Sequence, residues 1–160
     1  MKYFAGCETN SEVKARFREL CKALHPDCGG DAGKFAEMMS EYEVAFERCK
    51  DFQRYTDGTI HEKKTGETAM EYAKAYEAIM HIPGIEITLC GSWLWVTGNT
   101  RDCKEILKEN GFRWSPKKVA WSWHSPNEIR LGKHRAWTMN EIYDCYGREK
   151  LDTEELMAIA

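Results

Sequence analysis

The residues with the most chemical reach gather around His25-Pro26-Asp27, an imidazole and a carboxylate separated by a proline. An ionised Asp27 accepts charge-assisted hydrogen bonds. Upstream, Lys14, Arg18 and Lys22 step by four along a helical pattern, a row of positive charge on one face of the helix. Cys21, His25 and Cys28 are close in sequence, but structural zinc wants four ligands and no fourth stands nearby, so no metal and no cofactor are expected. His124 and His134 have no accompanying carboxylate or nucleophile, and no catalytic grouping is evident elsewhere. The chain reads as one that binds, not as an enzyme.

A second concentration comprises Trp93, Trp95, Trp114, Trp121 and Trp123, interleaved with Arg113, Lys117 and Lys118. Aromatic platforms with basic rims stack the bases of single-stranded nucleic acid, and exposed aromatic patches bind protein clients. A small domain also needs large side chains simply to fill its core, and that is the expectation for most of these tryptophans.

Helices and strands must position both groups. Val13, Phe17, Leu20 and Leu24 recur at helical spacing, Thr9 with Glu12 has capping-box spacing, and Pro26 ends the helix near His25. Gly29 and Gly30 supply a reversal, Asp31 caps the next helix, and Phe35, Met38, Met39, Tyr42, Phe46 and Cys49 form its apolar stripe. Two antiparallel helices therefore present the corner at their tip. Glu37, Glu41 and Glu47 read as a solvated face or as partners of Arg16 and Arg18.

Residues 51–66 lose periodicity and mark a boundary, and Thr68 with Glu71 opens a helix over about 69–81. From Ile85 the period becomes alternating. Residues 85–89 and 93–97 form one hairpin, a short helix carries Cys103, Ile106 and Leu107 inward, and 112–114 with 119–123 form a second hairpin with a basic tip. The fold class is α+β: a helical hairpin over 1–51, a linker with its helix over 52–83, and a small ββαββ module with short terminal helices over 84–160. Helix starts are expected at Ser125-Pro126 and Thr138, with another helix over 152–159.

Tyr3-Phe4, Phe17-Arg18-x-Leu20, His25-Pro26-Asp27-x-Gly29-Gly30-Asp31, Phe35 and Tyr42-Glu43-Val44 together resemble a J domain, the module of DnaJ-type co-chaperones, in a compact form with a short first segment. The resemblance covers residues 1 to about 50. It implies that Lys14, Arg18, Lys22, His25, Pro26 and Asp27 contact a DnaK-type chaperone and stimulate its ATP hydrolysis. The later module carries no motif that identifies a family. It lacks the glycine- and phenylalanine-rich linker, the zinc module and the paired β-domains of general DnaJ chaperones, which implies one specific protein client.

Composition narrows the alternatives. With 160 residues and 42% hydrophobic side chains, the chain can build one ordinary core or two small ones. A formal charge of -3 announces no nucleic-acid partner, yet residues 84–137 carry 9 Lys/Arg against 5 Asp/Glu, whereas residues 1–51 carry 8 against 10. This asymmetry keeps open a nucleic-acid-binding adaptor of phage or mobile-element type. Seven cysteines at irregular spacing suggest reduced thiols in a cytoplasmic protein, and no apolar run approaches a membrane span.

Overall fold

A computed structural model describes residues 2–128, 138–147 and 149–152. The chain is mixed α+β. Helix α1 (Asn10–Leu24) and helix α2 (Ala32–Cys49) form an antiparallel pair joined by a 3-10 turn at Pro26–Cys28. Then come a small hairpin of β1 (Phe52–Arg54) and β2 (Ile60–Glu62), helix α3 (Ala69–Ile79), strands β3 (Ile85–Cys90) and β4 (Trp93–Gly98), and helix α4 (Lys104–Glu109). Strands β5 (Arg113–Ser115) and β6 (Ala120–Trp123), helix α5 (Met139–Tyr146) and strand β7 (Glu149–Asp152) follow.

The caps explain the helix boundaries. Thr9 accepts from the Glu12 amide while the Glu12 carboxylate accepts from the Thr9 amide, a complete capping box that starts α1 without a preceding helix. Asp31 accepts from Lys34 N–H and starts α2. Thr138 and Glu141 make a second complete box at α5.

All pairings in the five-stranded sheet β5-β6-β4-β3-β7 are antiparallel. Alternation divides its side chains cleanly. Ile85, Ile87, Leu89, Leu94, Val96, Trp121 and Trp123 face the helices, in one continuous core with Phe4, Phe17, Tyr42, Phe46, Tyr72 and Tyr76. Cys90, Trp95 and Ala120 face the other way, covered by Met139, Ile142 and Tyr143 of α5, with Trp93 alongside. Helices thus lie against both faces of the sheet.

Helix α3, assigned from sequence to a linker, buries Tyr72, Ala73, Ala75, Tyr76 and Ile79. The core therefore runs without a break across the boundaries drawn at residues 51 and 83. Other expectations need correction. The segment 51–66, marked from sequence only by its loss of periodicity and as a boundary, contains the β1–β2 hairpin. Ile106 is exposed, because only Cys103 and Leu107 of that short helix reach the core. Ser125-Pro126-Asn127 begins a turn, with the Ser125 hydroxyl donating to Glu71 and accepting from Asn127 N–H. The expected helix over 152–159 lies outside the described residues save for Asp152, which is in β7, and His134 lies outside them too. Among the described residues no helix is long and apolar enough to cross a membrane.

Candidate functional site

The corner between α1 and α2 is built by its own backbone. His25 ends α1 with extended geometry, its N–H still donating to Cys21 O at 3.0 Å, and its carbonyl accepts from Cys28 N–H and Gly30 N–H. Its imidazole folds back so that Nδ1 accepts from Asp27 N–H at 3.1 Å, capping the 3-10 turn. Pro26 occupies the first position of that turn, where a missing donor costs nothing. Two glycines close the reversal for different reasons. Gly29 has φ +80°, and a Cβ on Gly30 would lie 2.2 Å from the Leu24 carbonyl.

The three motif residues have different exposure. The Asp27 carboxylate projects into solvent, 70% exposed, whereas the His25 side chain is only 14% exposed and lies edge-on to Phe35 at 4.8 Å. The histidine orients the turn, and the aspartate is the group that reaches solvent. His25 also borders an open cleft shared with Asp27, Met70, Lys74, Glu77, Ala78, His81 and Asn110. Glu77 Oε1 stands 4.0 Å from His25 Nε2, and burial holds the Glu77 carboxyl above its ordinary value, with His25 pulling it back and Asp27 pushing it further up. The His81 ring lies 6.2 Å from that of His25, nearly perpendicular.

The basic row does not survive intact. Lys14 is completely buried: Nζ sits 2.6 Å from Glu67 Oε1, donates to Ser92 O at 2.9 Å and lies over the Tyr72 ring at 4.9 Å. It is therefore no docking residue. Burial draws its amine below the ordinary lysine value, opposed by the Glu67 carboxylate. The sequence misleads here because the buried face of α1 is broad, covering Asn10, Val13, Lys14, Phe17, Leu20 and Cys21. Arg18 and Lys22 are half-buried, and both have partners within the protein. Of the acidic residues of α2, Glu37 and Glu47 lie on the solvated face expected of them, and Glu41 does not. Glu41 accepts from the backbone amides of Lys2, Tyr3 and Phe4, Glu37 pairs with Lys2, and Arg16 pairs instead with Glu19.

The candidate aromatic surface is mostly core. Trp95, Trp121 and Trp123 are 3%, 6% and 4% exposed and cannot stack on a ligand. Trp93 is half-buried, stacked on His124 at 4.4 Å with its indole N–H donating to Glu128. Lys118 is turned toward Trp95, its Nζ 5.7 Å from the ring. Arg113, Trp114 and Lys117 remain exposed on the β5–β6 hairpin, where Trp114 pairs across the strands with Trp121.

Sequence reasoning missed His81 and Glu77 as neighbours of the corner. Their spacing of four was a usable local signal, since the helix expected over 69–81 would put both on one face, but α3 ends at Ile79, and the approach of Glu77 and His81 to residue 25 is a tertiary fact. Cys21, by contrast, is buried core, and burial pushes its thiol well up. No protein-family model, no curated protein and no solved structure matches the chain.

Proposed function

We propose that the chain is a J-domain co-chaperone: the His25-Pro26-Asp27 corner engages a DnaK-type chaperone and stimulates its ATP hydrolysis, while the sheet-bearing part delivers a specific client. The observation that carries this reading is the corner itself. A solvent-projecting Asp27 carboxylate stands on a turn locked by the His25 imidazole, two glycine-dependent contacts and a proline, at the tip of two packed helices. Such a group is pre-organised for an arginine of a partner, which lowers the ordering cost of docking. Arg18 and Lys22 supply the nearby positive charge; Lys14 does not.

The test is the ATP turnover of a DnaK-type chaperone with and without the protein. Asp27→Asn is expected to return turnover to the unstimulated rate while leaving the circular dichroism spectrum unchanged. Full stimulation by that variant would overturn the proposal. Arg18→Glu with Lys22→Glu should weaken the encounter most at low ionic strength.

The rival reading, a nucleic-acid-binding adaptor, keeps Arg113, Trp114 and Lys117 as its only exposed candidates from the aromatic-basic set. A mobility-shift titration decides it, because phosphate contacts must weaken steeply as salt rises.

A further inference from the structure

We propose that His25, Asp27 and His81 bind a divalent transition-metal ion, with Glu77 as the supporting carboxylate, at a site that requires no chaperone. A ring nitrogen of each histidine and a carboxylate oxygen of Asp27 all lie within 4.8 Å of one another. A metal with bonds of about 2.0–2.2 Å needs its donors roughly 3.3 Å apart, so the three close by at most about 1.5 Å. Two features make that closure easy. Asp27 sits on an exposed turn, and the cleft is open to solvent.

A second observation concerns His81 itself. His81 Nε2 is buried yet has no hydrogen-bond partner among the described residues, an arrangement that costs free energy unless something is bound there. Lys74 is the cationic side chain among the residues that line the cleft with Asp27, Glu77 and the two histidines. Two imidazoles with one carboxylate favour zinc, cobalt or nickel over magnesium or calcium, which prefer all-oxygen sets. Glu77, whose Oε1 is 4.0 Å from His25 Nε2, is placed to accept a hydrogen bond from Nε2–H when the metal binds Nδ1, the usual outer partner of such a ligand.

Binding must open the present cap. His25 Nδ1 now accepts from Asp27 N–H, so the neutral ring carries its proton on Nε2. A metal on Nδ1 takes the accepting lone pair. A metal on Nε2 moves the proton to Nδ1, and the bond to Asp27 N–H is lost either way. The freed amide belongs to an exposed residue and turns to water.

Seven free cysteines would confuse a zinc titration, so cobalt(II) is the probe. Added to the full chain under reductant, it should give visible ligand-field bands without the near-ultraviolet charge-transfer band of a thiolate ligand. Both His81→Ala and His81→Gln should weaken affinity by about 100-fold and Glu77→Gln by about 10-fold. In the unaltered protein, affinity should fall as the pH is lowered, because protons and metal compete for the same donor atoms. The bands persisting at unchanged affinity in both His81 variants, a thiolate band, or no binding at all would each overturn the site. ATP turnover of a chaperone plays no part in these readouts, so a failed docking proposal leaves them untouched.

Discussion

Lys14 behaves as a structural cation. Its ammonium is walled by Tyr72, Trp123 and Phe46, and its charge is met by Glu67, whose side chain is only 3% exposed. Breaking such a pair from one side strands a buried charge, at a cost of about 3–5 kcal/mol, whereas replacing both partners by apolar groups is often close to neutral. Glu67→Gln should therefore lower the urea midpoint sharply, and Lys14→Met combined with Glu67→Leu should recover most of the loss. Equal destabilisation by the single and double variants would show that the pair is not coupled. The corner was legible because each of its determinants is local: proline after histidine, two glycines, an aspartate cap. The burial of Lys14 was not, since a period of four cannot distinguish a solvent row from the margin of a wide buried face.

The short helix α5 decides what the sheet can bind. It lays Met139, Ile142 and Tyr143 over Cys90, Trp95 and Ala120, and so takes the face that an exposed aromatic platform would need. A polar group forced into that seam is penalised by desolvation of about 1–3 kcal/mol. Ile142→Glu is expected to release α5, shift tryptophan emission to the red and raise binding of a hydrophobic dye, with the helical pair intact. Unchanged emission would mean that α5 does not shield Trp95. From sequence, the capping box at Thr138 and Glu141 located this helix, but nothing in its pattern indicated which surface it would cover. The same limit applies to Thr68 and Glu71: the threonine does cap α3, yet the Glu71 carboxylate goes to Ser125 and Asn127 instead of completing a box. The β1–β2 hairpin escaped notice because its three-residue strands carry no alternating apolar set, β2 being exposed throughout.

At the scale of the molecule, one core links the helices to the sheet, and it contains an unusual number of groups that must keep their protons. Burial raises Tyr42 and Tyr72 well above the ordinary 10.0 for a phenol, raises Tyr76 in the same direction, and raises the Cys21 thiol above its ordinary 9.0. Above those ordinary values the unfolded chain releases protons that the folded chain retains, so the stability of the fold falls with rising pH, by about 1.4 kcal/mol per pH unit for each group fully in its window. Lys14 acts oppositely. Its lowered value means that the unfolded chain holds the extra proton, so it adds stability as pH rises, but only up to its ordinary 10.5. Beyond that point its contribution is constant while the phenols continue to withdraw theirs. Guanidinium denaturation under reductant should accordingly show little change between pH 7 and 8.5 and a steep fall in midpoint by pH 11. Because the core is continuous from Phe4 to Trp123, tryptophan emission and far-ultraviolet circular dichroism should report the same transition at every pH. Two separated transitions would mean that the helical pair and the sheet fold as independent units, and a flat profile to pH 11 would mean that the tyrosines ionise in place.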